Sequence, residues 1–335
     1  MNVQDPSSGS LGQVQLAQAA HSYFIDLSLH ENLSRTPIIL SLGREIWLQG
    51  DTRVSTVSTI LPEICIKGTA MNRLHQAIAG AHQRPILGAA VYFYDPVFLE
   101  IAAHMGFKVI WIEMEHAAIT FNQAADLCRM ARGTGMLTMI RVPDARRESV
   151  LKAAECGPDI IDVPMAESPE QVADLVRYAR FAPVGARGFF SVSRAIKYGM
   201  VDSVSAEQQK LNTELSLLVQ IETVEALNRI DELVAVQGVD IFIGPADLAA
   251  SLGIPGQTSH PRLLEAVVRI ATAARREGKK IVTACGPSDF IHWTRLGVDL
   301  LFSANDIVCL KTGAQMALSA ANEAIALAAS EKVTV

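Results

Sequence analysis

From residue 72 onward, apolar and polar positions alternate in blocks with a steady beat. Short runs rich in β-branched residues recur at 86–93 (ILGAAVYF), 108–113 (KVIWIE), 136–142 (MLTMIRV), 159–164 (DIIDVP), 216–222 (SLLVQIE), 240–244 (DIFIG), 280–285 (KIVTAC) and 299–304 (DLLFSA). They are apolar on both faces, as parallel strands lying under helices must be. Between them lie helical stretches: PVFLEIAAHMG, NQAADLCRMARG, RRESVLKAAECG, PEQVADLVRYAR, VEALNRIDELVAV, PRLLEAVVRIATAARREG, DFIHWTRLG and DIVCLKTGAQMALSAANEAIALAA. Within 261–278, Leu263, Leu264, Val267, Val268 and Ala271 form one apolar face. Gly106, Gly133, Gly157, Gly278 and Gly297 stand where helices end, a position that favours glycine.

Eight strand–helix repeats predict an α/β protein, a (β/α)8 TIM barrel. A doubly wound open sheet is the alternative. It lacks its glycine fingerprint, because GAAVYFYD stands where GxGxxG would follow the first strand. Residues 1–70 lack the beat. A Gly/Ser/Gln-rich opening leads into strand-like patches in RTPIILSLGREIWLQG and RVSTVSTILPEICIKG. We read 1–70 as an N-terminal extension, poorly ordered or loosely docked, and 71–335 as the barrel. Met71 opens the regular part and offers an alternative start. Residues 182–213 make a long connection after the fourth strand, and long barrel loops tend to carry function.

Composition narrows the classes. Of 335 residues, 50% are hydrophobic and 19% charged, which suits a large core and excludes wholesale disorder. No apolar run reaches the ~18 residues of a membrane span. A net charge of −6 with no basic patch excludes a nucleic-acid binder. Cys65, Cys128, Cys156, Cys285 and Cys309 are widely spaced with no CxxC pair, which argues against a disulfide framework or a thiolate zinc site. The N-terminus resembles neither a secretory signal nor an Arg-rich transit peptide. A cytoplasmic, reducing setting is expected.

A barrel places its chemistry at the C-terminal ends of its strands. Those ends carry Glu113, Glu115 and His116 (second strand), Arg141 (third), Asp162 and Pro164 (fourth), Gln220 and Glu222 (fifth) and Asp247 in the turn GPAD (sixth). Glu222 and Asp247 follow successive strands and can converge on Mg²⁺ or Mn²⁺, which take hard oxygen ligands; alternatively they are helix N-caps. Arg141 can bind a carboxylate or a developing oxyanion, or pair structurally with Glu113 or Glu115. His116 is the only histidine near these ends and is the candidate acid/base; the alternative is a polar loop histidine. The GPAD turn offers backbone N–H groups to a small carboxylate. A Schiff-base lysine would have to lie near the strand C-termini. Lys108, Lys279 and Lys280 stand at strand starts, and only Lys197, in the long connection, is read at the right level. A metal therefore outranks an imine as electron sink.

WIEMEHA, MIRVP, VPMAES, APVGARG, VQIET and FIGPADLAASLG occur in this order. Together they resemble the HpcH/HpaI aldolase family, class II pyruvate aldolases grouped with the citrate lyase β-subunit superfamily, over about residues 72–330. The resemblance implies a barrel of the phosphoenolpyruvate/pyruvate type. It also implies reversible cleavage of a 4-hydroxy-2-oxo acid to pyruvate and an aldehyde through a metal-stabilised enolate, with Mg²⁺, Mn²⁺ or Co²⁺. Glu222 and Asp247 would be metal ligands. Arg141 would contact the keto oxygen, His116 would act as acid/base through a water, and Gln220 would orient the substrate. The backbone of Gly244, Pro245 and Ala246 would hold the carboxylate. Glu113 stands where the family has an Asp paired with the histidine. Glu155 stands where the family commonly has an Asp supplied across a subunit interface, so a homo-oligomer, trimer or hexamer, is implied. The long connection, with Arg187, Phe189, Phe190 and Tyr198, is read either as lining the aldehyde pocket or as packing. Alternatives are an oxaloacetate decarboxylase or decarboxylative carbon–carbon bond former using the same enolate, and a non-catalytic scaffold.

Overall fold

The computed structural model describes residues 71–82 and 84–330 in full, together with the backbone of five short strands between residues 14 and 53. Those strands, β1 (Val14–Ala19), β2 (Ser22–Leu27), β3 (Ile38–Leu40), β4 (Ile46–Leu48) and β5 (Thr52–Arg53), form an antiparallel meander. The chain divides into two units, Met1–Thr69 and Ala70–Val335. The expectation of poor order or loose docking for the extension falls outside the described residues.

The second unit is a closed parallel barrel of eight strands. They are β6 (Ile86–Val91), β7 (Val109–Glu113), β8 (Leu137–Arg141), β9 (Ile160–Val163), β10 (Ser216–Ile221), β11 (Asp240–Ile243), β12 (Ile281–Ala284) and β13 (Leu300–Asn305), with β13 closing onto β6. Each coincides with one of the eight apolar runs. The helices are α1 (Arg73–Ala79), α2 (Pro96–Met105), α3 (Phe121–Thr134), α4 (Arg147–Cys156), α5 (Pro169–Ala179) and α6 (Val204–Glu214), then α7 (Val224–Asn228), α8 (Ile230–Ala235), α9 (Pro245–Ser251), α10 (Pro261–Arg276), α11 (Phe290–Leu296) and α12 (Asp306–Ser330). No helix among the described residues is long and apolar enough to cross a membrane.

Two cores follow from strands that are apolar on both faces. Outward side chains pack under the helices. Inward ones fill the barrel around Trp111, which meets Phe242 and Phe302 edge-on at 5.4 and 5.2 Å. Leu74 and Ile78 of α1, both fully buried, join this inner core. Burying each is worth roughly 1.5–3 kcal/mol. Beside them, Arg73 pairs with Asp159 at 2.7 Å and His75 with Asp240 at 2.6 Å. Both acids stand at strand starts, so α1 covers the N-terminal end and leaves the opposite end for chemistry. Its N-capped run of 7 residues, about two turns, is too short for periodicity to reveal.

Four details differ from the sequence reading. Helix α3 runs through Gly133, and Gly135 takes the left-handed cap at φ 81°. The stretch 224–236 is two short helices broken at Arg229, whose backbone (φ −103°, ψ 17°) leaves the helical range. The connection 182–213 is not all loop: a turn at Arg194–Gly199 and helix α6 occupy its second half. It also packs on the outer ring. Phe189 and Phe190 line a groove with Phe121 and Lys152 over α3 and α4, and Arg187 is buried against Glu155, so neither phenylalanine belongs to the strand-end group.

Candidate active site

Strand register brings the site together. Glu113 of β7 stands opposite Arg141 of β8, and Arg141 opposite Asp162 of β9. Leu218 of β10 pairs with Asp162, which puts Gln220, two residues on, on the same face. Side chains at one level thus make a continuous polar row. Arg141 donates from Nε to Glu113 at 2.5 Å and from Nη1 to Gln220 Oε1 at 3.2 Å, and Nη1 lies 3.1 Å from Glu115. Its guanidinium sits 4.9 Å from the Trp111 ring centre. Gln220 donates in turn to Asp162 at 2.6 Å. The structural ion pair foreseen as an alternative for Arg141 is therefore present, with both glutamates. Nη2 makes no hydrogen bond among the described residues.

Glu113 is fully buried, and its other oxygen accepts the backbone N–H groups of Glu115 and His116 at 2.7 and 2.9 Å. The expected pairing of Glu113 with the His116 ring is not found, because Arg141 and these two amides consume the carboxylate. The ring stands exposed at the rim, 3.7 Å from Glu115.

Glu222 directly follows β10 and is 2% exposed. Oε1 accepts the N–H of Met165, whose left-handed backbone (φ 52°) aims it there, at 2.7 Å. A Cβ at position 244 would collide with Oε2, so glycine there is a steric requirement of the site. Asp247 lies exposed in the first turn of α9 and makes no capping bond, which removes its alternative reading as an N-cap. The carboxylate cradle needs correction. Gly244 N–H is taken by Ile221 O at 3.3 Å and Pro245 has no N–H, which leaves the amides of Ala246 and Asp247.

Electrostatics set this end apart. Burial, with the charge of Asp247 adding to it against the Met165 amide, pushes the Glu222 carboxyl up to about 7. Burial raises Asp162 well above the usual carboxylate range against the pull of Arg141. Burial likewise raises Glu115. Arg141 is held above its ordinary value: burial opposes this, but Glu113 and the other nearby carboxylates outweigh it. Among the described residues no three His, Cys, Asp or Glu side chains form a ready-made metal cluster. Two carboxylates with free oxygens do suit a hard cation that keeps positions for water and substrate.

A family model, the HpcH/HpaI aldolase/citrate lyase family, matches residues 91–305. The chain belongs to that family. Membership makes it a carbon–carbon lyase of the aldolase class. It is 31% identical over 240 residues to a hydroxypyruvate/pyruvate aldolase of Roseovarius nubinhibens, covering 70% of this chain and 91% of that protein. It is 33% identical over 212 residues to a 2-keto-3-deoxy-L-rhamnonate aldolase of Klebsiella pneumoniae, covering 60% and 78%. The crystal structure of an HpcH/HpaI aldolase from Desulfitobacterium hafniense superposes with a TM-score of 0.69 at 28% identity, covering 76% of this chain and 98% of that one.

In this HpcH/HpaI barrel the strand-end residues Glu113, Arg141, Gln220, Glu222 and Asp247 come together, with His116 at their rim. Glu155 does not join them. It lies on the outer helix α4, where Arg187 holds it at 2.8 Å. Lys197 lies at the wrong end, paired with Glu207 in a cleft that also holds Asp159 and Leu215, just before β9 and β10. This strengthens the case against an imine. Sequence reasoning assigned no role to Asp162, Met165 or Asp306. A charged residue inside the apolar run DIIDVP was a usable signal for Asp162. Asp306 accepts the N–H groups of Tyr92 and Phe93 at 2.8 and 3.0 Å, fixing the loop after β6. That contact depends on barrel closure and leaves no local signature.

Proposed function

We propose that this protein is a divalent-metal-dependent 2-oxo acid aldolase that reversibly cleaves a 4-hydroxy-2-oxo acid to pyruvate and an aldehyde. The observation that carries this reading is a shortage of positive charge. Glu113, Glu115, Asp162, Glu222 and Asp247 gather around one guanidinium, and burial holds three of them above their ordinary range. Glu222 and Asp247 are assigned as the protein's ligands to Mg²⁺, Mn²⁺ or Co²⁺. When bound, the metal supplies Lewis-acid stabilisation to the keto oxygen.

The chain's own residues do the rest. The first amides of α9 bind the substrate carboxylate. Gln220 and Glu113 fix the Arg141 guanidinium so that Nη2 meets negative charge growing on the keto oxygen. His116 takes the C4 hydroxyl proton, through a water because the ring stands at the rim. The C3–C4 bond then breaks, its electron pair passes into the enolate, the aldehyde leaves, and protonation at C3 gives pyruvate. The names of the relatives, a hydroxypyruvate/pyruvate aldolase and 2-keto-3-deoxy-L-rhamnonate aldolases, support a 2-oxo acid aldol reaction. In a panel of 2-oxo acids, pyruvate release from 4-hydroxy-2-oxo acids should require metal and stop with EDTA. Oxaloacetate turning over much faster than every aldol substrate would replace aldolase by decarboxylase.

We further assign a homo-oligomer, in a cytoplasmic setting. Helix α12 has no buried residue except Asp306 and exposes Leu310, Met316, Leu318, Ile325 and Leu327. Helices α2 and α11, the neighbours an eighth barrel helix would have, also expose apolar side chains: Val97, Ile101 and Met105 on α2, and Ile291 on α11. A second copy supplies a matching helix for that face and a face for this helix. Glu155 is assigned to a neighbouring copy's site. Light scattering should give a trimer or hexamer for the full chain and a monomer for a chain ending at Asn305. Full turnover by that monomer would contradict the role of Glu155.

A further inference from the structure

A second site lies at the opposite end of the barrel. A cleft of about 600 Å³, including its open mouth, is bounded by α1, α3, the Arg194–Gly199 turn and α6. Six cationic side chains line it, Arg73, Arg132, Arg187, Arg194, Lys197 and Lys210, against three carboxylates, Asp159, Glu207 and Glu214. The chain as a whole carries −6, so this is a local reversal of sign.

The carboxylates are already committed. Arg73 engages both Asp159 and Glu214, at 2.7 and 2.9 Å, and Lys197 engages Glu207 at 3.0 Å. Lys210 is left 3.8 Å from the Glu214 that Arg73 holds. Among the described residues Arg132 and Arg194 contact no carboxylate. They meet only the backbone carbonyls of Cys156 and Gly157. Arg187, its side chain 2% exposed, spends Nη2 on Glu155 and leaves a buried Nε with no partner. An unpaired buried guanidinium N–H is costly unless something accepts from it. The neighbouring charge of Arg132 adds to burial in depressing Arg194.

We propose that this cleft binds the phosphate group of a small metabolite, at a site separate from the aldolase centre. A phosphate monoester carries close to two negative charges near neutrality and presents three acceptor oxygens, which guanidinium forks engage in pairs. Such a group would neutralise Arg132, Arg194 and Lys210. It would also tie α3 and α6 to the Arg194–Gly199 turn, pinning the long connection to the barrel. Ligand and fold are then linked, so occupancy raises thermal stability.

The test is isothermal titration calorimetry of the full chain, without added metal, using inorganic phosphate at constant ionic strength. One saturable site with a Kd below about 1 mM is expected, with a rising melting temperature. Arg132→Gln and Lys210→Gln, on different elements and both exposed, should each weaken binding about tenfold or more, and Arg141→Lys should leave it unchanged. Absence of saturation, or loss with Arg141→Lys but not with the cleft variants, would overturn the site. Equal affinity for succinate would overturn the phosphate assignment.

Discussion

Arg141→Lys lowers turnover about a hundredfold or more, the cost of one preorganised oxyanion donor, while the circular dichroism spectrum stays that of the parent. Lysine keeps a positive charge beside Glu113 but loses the planar fork, which holds Glu113 and Gln220 while leaving Nη2 free. Arg141→Ala behaves differently. Glu113 is fully buried, so removing its cation strands a charge and destabilises the fold by about 3–5 kcal/mol. Steady-state kinetics beside thermal melts of both variants separate the effects. Near-parental turnover in the lysine variant would remove Arg141 from the chemistry.

Glu222→Gln produces an effect of opposite sign on activity and on stability. Turnover falls by several kcal/mol of lost Lewis-acid stabilisation, on the order of a thousandfold. The metal-free protein, however, gains stability at alkaline pH. The folded-state carboxyl of Glu222 sits at about 7, raised by burial, so the native state binds a proton more tightly than the unfolded chain. Its contribution is fully present below the unfolded value near 4.3 and is lost as pH rises through about 7. Over that window the melting temperature of the EDTA-treated parent should fall, by the equivalent of roughly 4 kcal/mol at most. Glutamine keeps an acceptor for the Met165 amide and has no proton to lose, so the slope should flatten. A parent whose stability rises over this window would contradict the assignment.

The barrel was legible because parallel strands under helices cannot hide: eight runs apolar on both faces have few other folds open to them. The strand-end residues were legible for the complementary reason, since a charge at the end of an apolar strand stands out. Contacts made across the structure were not. An ion pair of Arg141 with Glu113 or Glu115 was legible as an alternative, but nothing in MIRVP says that Arg141 would reach both, or that Glu113 would turn from the His116 ring to its amide. The cradle was misread at Gly244 and Pro245 because the GPAD motif shows a helix start but not which amides are already taken. The connection 182–213 was left open between pocket and packing because its aromatic residues look the same in a pocket as in a groove over α3 and α4. Asp306 looks like any residue opening a helix until barrel closure brings Tyr92 and Phe93 to it.

The central claim, a pyruvate enolate formed at this site with metal, does not depend on which aldehyde the enzyme uses. It is tested most directly by proton NMR of pyruvate in D₂O. With enzyme and Mg²⁺, Mn²⁺ or Co²⁺, quenched and cleared of metal before measurement, the methyl signal should disappear as C3 protons exchange. It should persist with EDTA or with Glu222→Gln. Exchange that continues at full rate without metal, or undiminished in Glu222→Gln, would contradict the account.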